Sequence, residues 1–261
     1  MIQPRPLHGR HAVVTGASRG IGAAIARRLA ELGASLSLVA RDRERLEQRR
    51  EELVALGAAA EVVPADVTVP EDVERAFDRA RRVHGPVQVL VNNAGAADSS
   101  AFHRTALEQW DRMLAANLTS TFLCTRQVVE EMVKAGWGRV VNVASTAGLR
   151  GYPYSAAYCA AKHGVVGLTR ALAVELARTG VTVNAVCPGF VDTDLFREAV
   201  ERVVRATGRS AESAREELVR YNPQGRLVRP EEVADAVAWL CLPGSASVTG
   251  QCLVVAGGEV M

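Results

Sequence analysis

Apolar residues recur along the 261-residue chain with two alternating patterns, which together predict an α/β fold. Short continuous apolar runs predict seven buried strands near 12–15, 35–40, 61–64, 87–92, 139–144, 181–186 and 251–255. Apolar residues spaced three or four apart predict helices near 21–32, 43–56, 71–84, 107–135, 155–178 and 230–242. Regular alternation predicts a seven-stranded parallel sheet flanked by helices on both faces. No linker or repeat divides the chain, so we expect one domain over 1–261.

A glycine-rich turn follows the first predicted strand and opens the first predicted helix. The turn runs Gly16-Ala-Ser-Arg-Gly20-Ile-Gly22, and the helix stops at Gly33. Glycines let the backbone approach a pyrophosphate, and a helix N-terminus offers N–H groups and a positive dipole. The spacing is G-x-x-x-G-x-G, not the general G-x-G-x-x-G, and a plain tight turn is the alternative. The strand, turn and helix together predict a dinucleotide site.

A tyrosine and a lysine lie one helical turn apart in the segment Tyr158-Cys-Ala-Ala-Lys162. Residues at i and i+4 share a helix face, and an ammonium beside a phenol lowers the phenol pKa. This predicts that Tyr158 exchanges protons with a substrate carbonyl or alcohol. Ser145 ends an apolar strand and could hydrogen-bond the same oxygen. Taken alone, the pair is more typical of a packed tyrosine beside a solvated lysine.

Further motifs follow one another in a fixed order. They are Thr15–Gly22, Asn92-Asn-Ala-Gly95, Asn117 within Leu114-Ala-Ala-Asn-Leu118, Ser145, Tyr158 and Lys162. In this order the chain resembles the short-chain dehydrogenase/reductase family, from about His11 to the last residue. The pattern is most similar to 3-oxoacyl reductases and aromatic-polyketide ketoreductases.

The resemblance implies a single Rossmann-like domain over 1–261 and hydride transfer with a nicotinamide cofactor. It implies that Tyr158 is the catalytic acid/base, that Ser145 orients the carbonyl, and that Asn117 holds a water in a proton relay. Lys162 would lower the pKa of Tyr158 and bind the nicotinamide ribose. The implied cofactor-binding residues are Gly16, Ser18, Arg19, Gly20, Ile21, Gly22, Arg41, Asp66, Val67, Asn93, Gly95, Tyr158, Lys162, Pro188, Gly189, Val191 and Thr193.

The end of the second predicted strand bears on which cofactor is bound. An NAD site places a carboxylate there for the ribose hydroxyls, whereas this chain has Ala40 followed by Arg41. A guanidinium suits a 2′-phosphate, and Arg19 could be a second phosphate contact. We therefore expect NADPH to be preferred over NAD. The alternative is that Asp42 binds the ribose and Arg41 is solvated.

Composition excludes several classes of partner. Apolar residues make up 48% of the chain, charged residues 23%, and the formal charge is +2. Nothing in this balance or in the apolar runs predicts a nucleic-acid or membrane partner. The odd number of scattered cysteines, without C-x-x-C spacing, predicts reduced packing residues in a cytoplasmic protein and no metal site.

Substrate and assembly are predicted from the resemblance. A helical, charged segment at about 194–224 is expected to be a lid over the substrate. We expect an NADPH-dependent ketoreductase acting on a 3-oxoacyl thioester or a polyketide-type ketone. The thioester carrier would be acyl carrier protein, docked near Lys134, Arg139 and Arg178, or CoA. The alternatives are a catabolic dehydrogenase of a secondary alcohol or 3-hydroxyacyl-CoA, and a non-catalytic nucleotide-binding protein. The family implies a homotetramer or homodimer through the long helices and 251–261.

Overall fold

The computed structural model describes residues 5–261, and its centre is a parallel sheet of seven strands in the order β3-β2-β1-β4-β5-β6-β7. The strands are β1 (His11–Thr15), β2 (Ser35–Ala40), β3 (Ala60–Pro64), β4 (Val89–Asn92), β5 (Gly138–Val143), β6 (Val181–Pro188) and β7 (Cys252–Val255). The predicted fold class is confirmed. Every neighbouring pair in this sheet is parallel, so the carboxyl ends of all strands meet at one edge.

Ten α-helices connect the strands and cover the sheet in the part of the chain from residue 5 onward. They are α1 (Gly20–Glu31), α2 (Arg43–Ala55), α3 (Pro70–His84), α4 (Leu107–Leu114), α5 (Ser120–Arg126), α6 (Val129–Lys134), α7 (Ala156–Glu175), α8 (Asp194–Thr207), α9 (Ala211–Val219) and α10 (Pro230–Cys241). The chain turns back between β1 and β4, because β2 and β3 lie on one side of β1 and the later strands on the other. Open sheets of this kind bind ligands at that switch point.

Two apolar clusters bury the two faces of the sheet. One joins Ile25 and Leu29 of α1 to β1 and to α10, and the other packs Phe77 of α3 against Leu90 of β4. Both faces of the central strands are buried, which explains why these strands appear in the sequence as continuous apolar runs.

The predicted helix over 107–135 is interrupted. After α4 the chain forms one wide π-helical turn at Ala115–Thr119, and two short helices follow. Hydroxyl groups explain part of the irregularity, since Ser120, Thr121 and Thr125 each hydrogen-bond the carbonyl oxygen four residues earlier. The wide turn holds Asn117, and such turns are frequent at functional sites.

Arg139 does not occupy the docking surface expected of it. Its side chain is 2% exposed, donates a hydrogen bond to the Gly138 carbonyl and lies over the Trp137 ring. As the second residue of β5, it is held inside the fold by this packing. The prediction that Arg139 helps to dock an acyl carrier is therefore wrong, because its side chain is not accessible. Lys134 and Arg178, the other two residues predicted for this role, are exposed.

Candidate active site

The glycine turn forms a narrow cradle that only glycine can build. Gly16 and Gly20 have φ values of +66° and +54°, which side chains rarely adopt. A Cβ on Gly22 would lie 2.2 Å from the Gly16 carbonyl oxygen. No side chain caps the start of α1, so its first backbone N–H groups can bind an anion. The cradle therefore fits a dinucleotide pyrophosphate, with Ser18 and Ile21 half-buried along it.

Asn93 secures this turn from the neighbouring strand. Its Nδ2 donates to the carbonyl oxygens of Thr15 and Gly16 at 3.0 and 3.3 Å. The Thr15 hydroxyl in turn accepts from the backbone N–H groups of Asn93 and Ala94, both at 3.0 Å. The Asn93 amide group thus holds β1 and β4 in register at the switch point, which is a positioning role that the motif alone does not reveal.

An exposed arginine follows the end of β2, and the carboxylate next to it is occupied in a helix cap. Asp42 Oδ1 accepts from the Arg45 backbone N–H at 3.1 Å and caps α2. The Arg41 side chain is 82% exposed, and its guanidinium lies 3.9 Å from Asp66. Burial raises the pKa of Asp66, but two hydrogen bonds from Thr68 and the charge of Arg41 lower it overall. Because Asp42 is engaged in the helix cap, this geometry favours a phosphate at Arg41 over a ribose at Asp42.

Tyr158, Lys162 and Ser145 come together as the spacing predicted. The Lys162 ammonium lies 5.7 Å from the centroid of the Tyr158 ring and donates to the Val143 carbonyl oxygen at 2.9 Å. The Ser145 side chain also acts on the Tyr158 hydroxyl, whose pKa it lowers. Ser145 Oγ also accepts from the Ala147 backbone N–H at 3.1 Å, which fixes its rotamer at the end of β5.

Burial opposes the predicted lowering of the Tyr158 pKa. It is the largest effect and raises the pKa of Tyr158 to about 12, although the Ser145 hydroxyl lowers it. Burial also lowers the pKa of Lys162 to about 8. At neutral pH the phenol is therefore protonated and the amine is cationic, which makes Tyr158 a proton donor.

Asn117 lies near Lys162, and its side-chain oxygen has no hydrogen-bond partner among residues 5–261. Its Nδ2 donates to the carbonyl oxygens of Ala96 and Met113, each at 2.9 Å. Its Oδ1 is buried, has no hydrogen-bond partner among residues 5–261, and lies 2.6 Å from where a Cβ on Gly95 would be. The same Cβ would lie 3.8 Å from Lys162 Nζ. Gly95 is thus the close-approach position between Asn117 and Lys162.

The segment after β6 crosses the glycine turn. Pro188 ends the strand, and the chain then passes Gly189 and Val191, which pairs with Val228 in an isolated parallel bridge. Thr193 precedes α8, and a Cβ on Gly20 would lie 3.1 Å from its methyl group. The structure therefore brings together two motifs that are more than 170 residues apart in the chain.

Arg19 contacts the first turns of α8. Its guanidinium pairs with Asp194 at 3.0 Å and with Glu198 at 3.3 Å, and Arg45 lies 3.8 Å from Asp194. The predicted phosphate contact is thus neutralised by acidic groups of the predicted lid segment. No local pattern predicts these ion pairs, because the acids lie 175 and 179 residues from Arg19.

A partly buried carboxylate near the C-terminus was not predicted from the sequence. The Tyr152 hydroxyl donates to Glu259 Oε1, 107 residues away, and is hydrogen-bonded to the Thr146 hydroxyl at 2.7 Å. Tyr152 also lies edge-on against Tyr221, with ring centroids 5.4 Å apart. Only the folded arrangement of β5, β7 and the segment after α9 brings these side chains together.

Comparison with known proteins agrees with this geometry. Residues 10–203 match the family model described as short chain dehydrogenase. A putative ketoacyl reductase of Streptomyces coelicolor is 45% identical and is matched over 95% of each chain. A D-beta-hydroxybutyrate dehydrogenase of Rhizobium meliloti is 36% identical over 95% of this chain and 97% of its own. A crystal structure of an actinorhodin polyketide ketoreductase variant with NADPH has a TM-score of 0.93 and 44% identity, covering 96% of this chain and 97% of its own.

No helix within residues 5–261 combines the length and apolar character needed to cross a bilayer.

Proposed function

Because the chain belongs to the short-chain dehydrogenase family, we propose that it is an NADPH-dependent ketoreductase, reducing a 3-oxoacyl thioester or a polyketide-type ketone. The single observation that carries the proposal is the meeting of Tyr158, Lys162 and Ser145 at the carboxyl edge of the sheet, with the Lys162 ammonium 5.7 Å from the centroid of the Tyr158 ring. A phenol is protonated at neutral pH, so it can donate the proton that a carbonyl must gain together with a hydride.

The residues present fit a nicotinamide dinucleotide phosphate. The glycine cradle and the start of α1 would hold the pyrophosphate, and Arg41 with Arg19 would hold the 2′-phosphate. Asp66 and Val67 would contact the adenine, and the segment Pro188–Thr193 would contact the carboxamide. When bound, this cofactor supplies the hydride.

The remaining chemistry belongs to three side chains. Ser145 donates a hydrogen bond to the substrate oxygen and orients the carbonyl towards the cofactor. Tyr158 donates its hydroxyl proton to that oxygen as negative charge develops on it. Lys162, still cationic near neutral pH, stabilises the phenolate that is left behind.

Asn117 is proposed to complete the proton relay. Its buried, unpartnered Oδ1 lies at the side of Lys162, where an acceptor can hold a water molecule. Such a water would return a proton to Tyr158 by way of Lys162. Asn117→Asp, which keeps the shape of the side chain, tests whether the amide itself is needed in the wide turn.

Tyr158→Phe tests the proposed function directly. We expect kcat for ketone reduction to fall about 10²-fold or more, with the Kd for NADPH near that of the wild type. Tyr154→Phe is the matched control, since the Tyr154 side chain is 69% exposed and forms no part of the donor group. A wild-type kcat in Tyr158→Phe would remove the phenol from the mechanism.

A second candidate is the oxidation of a 3-hydroxyacyl substrate. Similarity over 95% of the chain to a D-beta-hydroxybutyrate dehydrogenase favours it. Steady-state assays of ketoacyl thioesters with NADPH, against hydroxy acids and simple alcohols with NAD and NADP, separate the two. A larger kcat/KM for alcohol oxidation with NAD would replace the reductase proposal.

We also propose that the chain forms a homo-oligomer through α5 and α7. Phe122 on α5 is 46% exposed and Val174 on α7 is 80% exposed, although both helices are otherwise packed on the sheet. Light scattering that gives a mass near 27.9 kDa would reject this assembly. The lid role of 194–224, the carrier and the cytoplasmic location stay predictions.

A further inference from the structure

Glu259 is a partly buried acid, and only one of its two carboxylate oxygens accepts a hydrogen bond among residues 5–261. It follows Gly257 and Gly258, whose φ values of +61° and +94° turn the chain back after β7. Its Oε1 accepts from the Tyr152 hydroxyl, whereas its Oε2 is buried without a hydrogen-bond partner among residues 5–261. An unpaired buried carboxylate oxygen is costly, so its retention requires a reason.

One side of Glu259 reaches the residue next to Ser145. Its partner Tyr152 is hydrogen-bonded at 2.7 Å to the Thr146 hydroxyl, and Thr146 is 3% exposed. Thr146 opens the short helical turn that Ser145 caps. Two hydrogen bonds therefore connect the carboxylate to the backbone that carries the substrate-orienting hydroxyl.

The other side of Glu259 lies against the segment proposed for the carboxamide. A Cβ on Gly189 would lie only 2.6 Å from Glu259 Oε2 and 3.1 Å from the Ala256 methyl group. The Gly189 backbone N–H also donates to the Val255 carbonyl oxygen at 3.1 Å. The C-terminal turn is thus in direct contact with the cofactor side of the site.

An arginine lies beside this connection. Burial is the largest effect and raises the pKa of Glu259 overall, although the hydrogen bond from Tyr152 and the charge of Arg150 act in the opposite direction. The Arg150 guanidinium lies 5.0 Å from the centre of the Tyr152 ring and 5.7 Å from that of Tyr221. A hydrogen bond to an ionised acceptor is shorter and stronger than a neutral one, and therefore fixes its donor more firmly.

We propose that Glu259 is a positioning residue that sets the distance between the substrate-orienting and cofactor-binding segments. It acts through Tyr152 on the Ser145–Thr146 backbone and by direct contact on Gly189. The proposal rests on the ketoreductase function proposed above. An error of about 1 Å between reacting groups can cost as much as about 10²-fold in rate, so loss of this contact should lower kcat.

The test compares Glu259→Ala, Glu259→Gln and Tyr152→Phe with Met261→Ala, an exposed matched control in the same tail. We expect Glu259→Ala and Tyr152→Phe each to lower kcat about 10-fold or more, and Glu259→Gln to lower it by less because its amide can still bond Tyr152. The double variant Glu259→Ala/Tyr152→Phe should be no slower than the worse single variant, because both remove one connection.

Two further readouts separate positioning from general stabilisation. The Kd for NADPH, measured by calorimetry, should stay within about threefold of the wild type, because the phosphate contacts are untouched. The thermal midpoint should stay well above the assay temperature in every variant. If Glu259→Ala does not fold, Glu259→Gln and Tyr152→Phe still carry the test.

Each outcome decides the matter. A kcat within twofold of the wild type in Glu259→Ala and Tyr152→Phe, or losses that multiply in the double variant, would overturn the positioning role. A lower thermal midpoint with unchanged kcat would also overturn it. A wild-type chain that reduces no ketone would instead overturn the proposed function, so the two failures are distinguishable.

Discussion

Acidification is expected to destabilise this fold through a buried histidine far from the active site. His11, the first residue of β1, is 2% exposed. Its Nδ1 lies 2.9 Å from the Gly85 carbonyl oxygen and its Nε2 lies 2.9 Å from the Ser37 hydroxyl. Burial, the largest effect, and the nearby His84 together lower the pKa of His11 from 6.5 to about 4, against the hydrogen bond to Gly85, which raises it.

The sign and size of the effect follow from these two pKa values. The unfolded chain takes up a proton at His11 below pH 6.5, whereas the folded chain resists until about pH 4. The stabilisation from neutral His11 is therefore complete above pH 6.5 and is lost as the pH falls towards 4. The free energy of unfolding changes by about 1.4 kcal/mol per pH unit, but only below the unfolded-state pKa of 6.5. Lowering the pH from about 7.5 to about 5 should therefore reduce the free energy of unfolding by ~2 kcal/mol.

Urea unfolding at a series of pH values measures this loss. A change of ~2 kcal/mol corresponds to a fall of about 4–8 °C in the thermal midpoint for a chain of this size. His11→Gln should be less stable than the wild type at neutral pH, but its stability should change far less between pH 7.5 and 5. His8→Gln, at an exposed position three residues earlier, should keep the wild-type dependence. Parallel pH curves for wild type and His11→Gln would refute the reasoning.

Three further predictions concern the cofactor site. Arg41→Ala should raise the KM for NADPH about 10- to 100-fold and leave the KM for NADH nearly unchanged, because only the 2′-phosphate loses a charged partner. Arg43→Ala is the control, and equal increases in KM for both cofactors would contradict the role of Arg41. Gly22→Ala should abolish saturable NADPH binding in calorimetry, since its Cβ would lie 2.2 Å from a backbone carbonyl oxygen, and wild-type affinity would disprove the close approach. Asp194→Asn should lower the Kd for NADPH a few-fold at low salt by releasing Arg19, and an unchanged Kd would show that the ion pair does not compete with phosphate.

Local pattern was sufficient for the sheet but not for the wide turn before α5. The strands are buried on both faces, so their apolar runs could be assigned from the sequence alone. The irregular turn around Asn117 depends on hydrogen bonds to Ala96 and Met113, and Ala96 lies on a different element. A single helical period across 107–135 cannot show such a turn, because its side chains still follow a nearly helical spacing.

The chemistry of the site divides in the same way. Tyr158 and Lys162 share a face because of their spacing, which is a local property of α7. The other contacts of the site depend on long-range packing. Lys162 donates to a carbonyl oxygen of β5, and Tyr152 donates to Glu259, which is 107 residues away. Positions of reactive groups could therefore be predicted, whereas their protonation states and supports could not.

The pKa of Tyr158 shows why the local pattern is not sufficient. An ammonium near a phenol favours the phenolate, and that argument is correct in water-like surroundings. Here Lys162 is buried and Tyr158 is half-buried. Burial shifts both pKa values towards the neutral forms, to about 12 for Tyr158 and about 8 for Lys162. The phenol beside Ser145 is therefore protonated at neutral pH and can donate its proton to a carbonyl oxygen.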